Sequence, residues 1–416
     1  MMKHPTPQCS SIERPVHGCL LLLALALSVP ARAQEKTTAF TGARIHPVSS
    51  AAIENGVLII AGGKIQTVGD ASTEIPEGAV TIDCKGKVIT PGLIDTATTL
   101  GVSSTDQNEQ GDEVTPHMKI VDAINADDKA FKRARQGGVT VVQISPGNKN
   151  VIGGLGAVLK THGETVAEML LKDESCLRVT MGTEPGRGNR AIRGGSPVGI
   201  YYRRPTTRMG VVWEVRRAFY AAMDYKDQQS DPDDKPDAAM EVLVRALDGK
   251  LQVRTTARAE NDIRTALRLA QEFGYKTVLE EVTEAWLVAD LLAASGTKLI
   301  VGAPSATSGH NDGAEGRMHT LNLLSDRSIP FAIATGSHTN ALSLIDEATF
   351  AVRNGLDADQ ALTAITLVPA EILGVSDHVG TIEPTKDADL VIWNGPLFDP
   401  TTMASAVYVN GQEVSK

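Results

Sequence analysis

The stretch Val88-Ile-Thr-Pro-Gly-Leu-Ile-Asp-Thr-Ala-Thr-Thr-Leu-Gly101 divides the chain into two rhythms. Before it, residues 43–46, 56–60, 63–68 and 79–84 form short runs rich in β-branched side chains. Turn signals at Gly62-Gly63 and Gly86 separate these runs, and the pattern predicts antiparallel strands. From Pro91 onward, strands alternate with amphipathic helices, the spacing of a parallel barrel.

The repeats are clearest in the second half. Residues 251–257 read as a strand, followed by a helix over 260–273 whose Ile263, Ala266, Leu267 and Ala270 share one face, with Gly274 as its stop. Residues 276–282 form the next strand and 284–295 the next helix, ended by Gly296. Residues 297–303 and 330–335 follow as strands, and Ser343-Leu-Ile-Asp346 opens a further helix with capping-box spacing. These are the buried runs that a closed parallel sheet needs.

Two C-terminal segments complete the pattern: Thr366-Leu-Val-Pro-Ala-Glu-Ile-Leu-Gly374 and Gly380-Thr-Ile-Glu-Pro-Thr-Lys-Asp-Ala-Asp-Leu-Val-Ile-Trp393. Together with the opening stretch they resemble the Pro-Gly-Leu-Ile-Asp-x-His-x-His, Thr-x-Asn-Pro-Ala…Leu-Gly and Gly-x-Ile-x-x-Gly-Lys-x-Ala-Asp-Leu-Val motifs of the amidohydrolase superfamily. Val368 and Thr385 depart from the last two motifs. Segments 138–143 and 150–156 are similar to the imidazolonepropionase-like and prolidase-like branch. The resemblance implies an α/β fold, a (β/α)8 TIM-like barrel over 91–377. A composite β-sandwich of 34–90 and 378–416 would be built from the two ends of the mature chain.

Family chemistry, as the resemblance implies it, uses two histidines on strand 1, a lysine or acid on strand 4, histidines on strands 5 and 6, and an aspartate on strand 8. The bound metal lowers the pKa of a water, and the aspartate takes its proton. Here Ala97 and Thr99 stand at the strand 1 places. No histidine lies between His46 and His117, or between His162 and His310. Thr256 or Arg258 takes the strand 5 place, Glu281, next to Glu280, the strand 6 place, and Gly336 the strand 8 place. Lys160 reads either as a remnant of the strand 4 lysine or as an unrelated strand lysine. The expectation is a protein without metal or cofactor, in which an Arg258–Glu281 ion pair fills part of the vacated centre.

Other constellations are weaker. His310, Asp312, Glu315 and His319 cluster after the seventh strand, but without metal-ligand spacing they read as a polar loop. His338 follows strand 8 near the expected barrel mouth. No Gly-x-Ser-x-Gly elbow or dinucleotide fingerprint occurs, and residues 182–190 read as a basic loop over the barrel.

The net charge of −10 is spread along the chain, which argues against nucleic acid as a partner. The acidic stretch 227–237 reads as a solvated loop. Residues 1–33 read as a signal peptide: Lys3 and Arg14, an apolar run over 19–29, and Ala31-Arg-Ala33 before Gln34. That run is shorter than the about 20 residues of a membrane-spanning helix, so no membrane association is expected after cleavage. Only Cys84 and Cys176 would remain, which allows one bridge at most and reads as two buried free thiols.

The sequence therefore predicts a periplasmic or secreted relative of hydrolases of non-peptide carbon–nitrogen bonds. It would be metal-free and catalytically degenerate, binding a small molecule in the barrel mouth or partnering an active homologue. The competing expectation is an active hydrolase with a relocated or metal-independent site drawn from Lys160, Arg258, Glu281 and His338. A homo-oligomer is compatible with both.

Overall fold

The computed structural model describes residues 37–109, 111–188, 205–228, 236–305, 314–336 and 343–414. The expected signal peptide, His310, Asp312 and His338 lie outside the described residues. Among the described residues, sixteen strands carry the fold: β1 (Thr38–Ile45), β2 (Ile53–Ala61), β3 (Lys64–Gly69), β4 (Val80–Asp83), β5 (Val88–Pro91), β6 (Leu93–Thr98), β7 (Val139–Ile144), β8 (Ile152–Lys160), β9 (Leu170–Thr180), β10 (Val253–Thr256), β11 (Thr277–Glu280), β12 (Leu299–Gly302), β13 (Phe331–Ala334), β14 (Leu390–Trp393), β15 (Ala404–Val409) and β16 (Gln412–Glu413).

The first five strands and the last three share one mixed sheet, ordered β16-β15-β14-β5-β1-β2-β3, with β4 also paired to β1. Its junction is the antiparallel pair β14 and β5, where Leu390 faces Pro91 and Trp393 faces Val88. Phe40, Ile45, Leu58, Ile65, Ile89, Leu390 and Ile392 form its core, and Phe40 meets Tyr408 edge to face at 5.1 Å. The sheet is not purely antiparallel as its turn signals suggested. The Gly62-Gly63 turn does make a hairpin of β2 and β3. Residues 70–79 then carry the chain back, so that β4, like β5, runs parallel to β1.

The second sheet takes β6 to β13 in chain order and is a nearly closed barrel, with β13 returning beside β6. Strands β9 to β13 are parallel, as are β6 and β7. Strand β8 is the departure from a uniform βα rhythm, because it pairs antiparallel with both β7 and β9. Residues 145–151 join β7 to β8, and residues 161–169, with the four-residue helix Val166–Met169, join β8 to β9. Connections that short can return the chain antiparallel, whereas a parallel crossover needs a dozen or more residues. Gly154 lets β8 pass close to its neighbours: a Cβ there would lie 2.4 Å from the Met118 carbonyl oxygen, and its φ is +108°.

Strand alternation sorts the barrel side chains. Leu177, Val179, Val253, Leu279, Leu299, Val301, Phe331 and Ile333 belong to the main core beneath the surrounding helices. Val278, Ile300, Ala332 and Ala334 alternate with them and close the interior together with Ala97. The expected helix Glu260–Phe273 forms with buried Ile263, Ala266 and Leu269, and Gly274 stops it at φ +73°. Leu267 and Ala270 are only partly buried. The expected helix over 284–295 is instead a 3₁₀ turn, Ala285–Leu287, followed by the helix Ala289–Ser295. Ser343 does open the helix Leu344–Arg353, but its hydroxyl donates to Asp346 Oδ2 at 2.6 Å and makes no backbone cap. Cys84 and Cys176 are both free and buried. Among the described residues, no helix is long and apolar enough to cross a membrane.

Candidate functional site

Register fixes the centre of the site. Arg178 of β9 pairs with Arg254 of β10, and Arg254 in turn with Val278 of β11. Each strand therefore sends an alternate side chain inward, and Glu280 follows Val278 by two residues on the same face. Arg254 is 0% exposed, Glu280 2% and Arg178 3%. Arg178 Nη1 lies 2.6 Å from Glu280 Oε1, and Arg254 Nη2 lies 2.5 Å from Glu280 Oε2. Arg254 Nη2 also donates to the Thr96 carbonyl at 2.6 Å. Burial alone would push the Glu280 carboxyl up, but Arg178 and Arg254 outweigh it and hold the group below the usual carboxylate range.

One layer further out, Arg258 and Glu281 form an ion pair, and Arg258 Nη1 donates to Glu184 Oε2 at 2.7 Å. Successive strand side chains point to opposite faces, so Glu280 and Glu281 would not normally share a cavity. Glu281 escapes that rule by leaving the strand with φ +57°, and both carboxylates line the mouth. Asn148 joins the layers: its Oδ1 accepts from Arg178 Nη2 at 2.5 Å and Thr256 Oγ1 at 3.1 Å, and its Nδ2 donates to Glu281 at 3.5 Å.

Asp95, on β6, accepts from Thr335 Oγ1 at 2.6 Å, from Thr335 N at 3.2 Å and from Ala97 N at 3.3 Å. Burial pushes its carboxyl up to about 6, reinforced by nearby Glu280 and opposed by those hydrogen bonds.

These groups surround a cavity of about 160 Å³ that Ala97, Thr99, Asn148, Arg178, Glu280 and Glu281 help to line. It shares Gln107, Asn108 and Pro146 with a larger polar groove of about 760 Å³ that extends over His117 and Lys119. The two loops at this shared edge are tied by Gly147 N to Gln107 O at 2.7 Å and Lys149 N to Asn108 Oδ1 at 2.8 Å. A Cβ on Gly147 would come within 2.5 Å of the Asn108 side-chain amide, which would have to shift to admit it.

The structure brings together Arg258 and Glu281 but not Lys160. Because β8 runs antiparallel, Lys160 ends the third barrel strand opposite Val141, at the end of the barrel away from the mouth. There it is buried against Asp387 at 2.6 Å, Asp389 at 3.0 Å and Asn410. Burial pushes Asp389 up against the pull of Lys160. Asp387 is held low, with Lys160 and Lys64 outweighing burial. Lys160 thus joins the barrel to the mixed sheet. Of the polar loop, Glu315 meets Glu284 and Trp286 through its backbone, and His319 precedes the helix Thr320–Asp326. Among the described residues, no group of three or more His, Cys, Asp or Glu is placed to hold a metal ion.

Sequence reasoning did not single out Asp95, Arg178 or Arg254 as site residues. The signal was present in Cys-Leu-Arg-Val-Thr and Val-Arg-Thr-Thr, where a lone charge interrupts a buried strand. Asp95 lay inside the opening stretch, read there for its histidine positions.

The amidohydrolase family model matches residues 244–414. The chain is similar to the solved structure of an amidohydrolase from Thermotoga maritima MSB8, with 32% identity, a TM-score of 0.83, and coverage of 91% of this chain and 99% of that one. It is 27% identical over 380 residues to amidohydrolase tasK of Hapsidospora irregularis, covering 82% of this chain. It spans only 38% of that relative's length. It is also 24% identical over 388 residues to an imidazolonepropionase of Caulobacter sp. (strain K31), covering 82% of this chain and 88% of the relative.

Proposed function

We propose that this chain, which belongs to the amidohydrolase family, is an exported member whose barrel mouth binds a small molecule without a catalytic metal. Hydrolysis of non-peptide carbon–nitrogen bonds, the activity its descent implies, is lost in this reading.

The observation that carries it is the closure of Arg178 and Arg254 on Glu280. A divalent centre needs several neutral or anionic donors with lone pairs free. Here Ala97 and Thr99 line the mouth, two guanidiniums lie one layer below, and both Glu280 oxygens already face cations. A metal placed there would be repelled by two buried cations and, among the described residues, find no imidazole lining the cavity. The donor set does not fit a divalent ion. Gly336 also leaves the end of β13 without a carboxylate to serve as general base.

A second reading, an active hydrolase with a metal-independent site, draws on the left-handed backbone of Glu281 and of Ala303 (φ +34°) at the mouth. Such strain persists where a site requires it. An assay of dipeptides, cyclic amides and imidazolones, run with and without added metal, separates the two. Absence of turnover supports the binding protein, and metal-independent turnover supports the alternative.

Export rests on Ala31 and Ala33 before Gln34, and mass spectrometry of the exported protein tests it. A mature chain beginning at Gln34 is expected, and a membrane-bound chain retaining Met1 would contradict it. Association with an active homologue or a second copy remains part of the proposal, to be tested by the composition of the purified assembly.

A further inference from the structure

We propose that the centre has changed sign: the barrel mouth holds a small carboxylate, with Arg178 and Lys149 as its cationic contacts. This deepens the metal-free reading and rests on it.

The pairing of the charged groups carries the argument. Every carboxylate lining the cavity is already engaged: Glu280 with Arg178 and Arg254, and Glu281 and Glu184 with Arg258. The guanidiniums are not equally satisfied. Arg178 Nε and Arg254 Nε and Nη1 are buried and meet no acceptor, and Arg178 lines the cavity. Lys149 lines the same cavity from the exposed rim, and among the described residues no acid pairs with it.

Buried N–H groups without an acceptor are costly, and a ligand that supplies one removes that cost. A carboxylate supplies a charged acceptor to Arg178 Nε, the nitrogen that Glu280 and Asn148 leave unmet, and adds attraction to Lys149, whereas a neutral amide brings no charge. Among the described residues, a cationic ligand in this cavity would meet Arg178 with no unengaged carboxylate to receive it. The cavity of about 160 Å³ admits only a small group. Its shared edge with the larger groove lets the rest of the molecule run past Gln107 and Asn108 toward His117 and Lys119.

Calorimetric titration of the full mature chain tests this, in buffer free of carboxylate and phosphate. The probes are succinate and N-acetylglycine, their amides succinamide and N-acetylglycinamide, and inorganic phosphate. Saturable binding of the acids is expected, with the amides about tenfold weaker or more. Arg178→Lys keeps a charge for Glu280 but loses the Nε–H, and should weaken the acids by about tenfold. If that variant does not fold, Lys149→Gln on the rim still decides, with an expected loss of about two- to fivefold. Amides binding as well as acids, acids that do not bind, or phosphate binding with the acids silent would each overturn the proposal. Elemental analysis of the same sample keeps the two readings apart. A bound stoichiometric metal defeats the metal-free reading itself, while silent acids on a metal-free protein defeat only the carboxylate.

Discussion

Arg178 and Arg254 are register partners on adjacent parallel strands, and both close on the single carboxylate of Glu280. Like charges side by side on one sheet face repel, and burial removes the water that would screen them. Their neighbourhood is tolerable only because Glu280 offers one oxygen to each. Glu280 is therefore the hinge of the site's electrostatics, and removing its charge is the sharpest perturbation available.

Glu280→Gln should destabilise the protein at neutral pH by about 3–5 kcal/mol, the range for breaking a buried pair, read from urea unfolding. The pH dependence has a definite sign. Glu280 is held below its ordinary value when folded, so its contribution is complete above the unfolded carboxylate range and is lost as pH falls through the folded value. The variant should have a shallower acid limb than the wild type, and parallel acid limbs would contradict the assignment.

Glu281→Ala removes the partner of a buried Arg258, with side-chain exposures of 2% and 6% respectively. The expected loss is about 3–5 kcal/mol, against at most about 1 for an exposed pair. A loss near the lower figure in urea unfolding would show that Glu184 alone satisfies Arg258.

Asp95→Asn should act in the opposite direction. Burial raises the folded Asp95 carboxyl to about 6 from an ordinary 3.8. Ionisation therefore disfavours the fold: the penalty is absent below the unfolded value and complete above the folded one. A shift of about two units corresponds to roughly 3 kcal/mol at most. Unfolding measured from pH 4 to 7.5 should show the wild type losing stability relative to the variant as pH rises. A constant difference would remove Asp95 as the titrating group.

Lys160→Met leaves Asp387 and Asp389 without their shared cation. Stability should fall by about 3–5 kcal/mol, while ligand affinity measured calorimetrically on the folded fraction stays at the wild-type value. A selective loss of affinity without loss of stability would return Lys160 to the binding site.

The strand and helix rhythm beyond residue 250 was legible because each element buries one face, and periodicity reports burial directly. The helix Glu260–Phe273 and its Gly274 stop follow from that alone. The reversal at β8 was not legible, because it depends on connection length, which does not alter hydrophobic period. The choice between the two readings of Lys160 was open for the same reason: strand direction decides which end of a barrel a side chain reaches, and here it makes Lys160 a strand lysine away from the mouth. Arg258 and Glu281 could be paired from sequence because both end neighbouring parallel strands. The Arg178–Glu280–Arg254 cluster lies one layer deeper and depends on register across three strands, which spacing along one strand does not reveal.

If buried guanidiniums have replaced a metal centre, as proposed, the mature protein holds no transition metal. Elemental analysis of that protein, purified without chelators and then titrated with zinc and manganese beside a hydrolase assay, is the deciding measurement. No stoichiometric transition metal, no saturable tight uptake and no turnover with either ion are expected. Ala97→His with Thr99→His should restore none of these, because an ion held by two ligands lacks the strand 5, 6 and 8 groups that would support it. One equivalent of tightly bound metal with metal-dependent hydrolysis would instead show an intact catalytic metal centre.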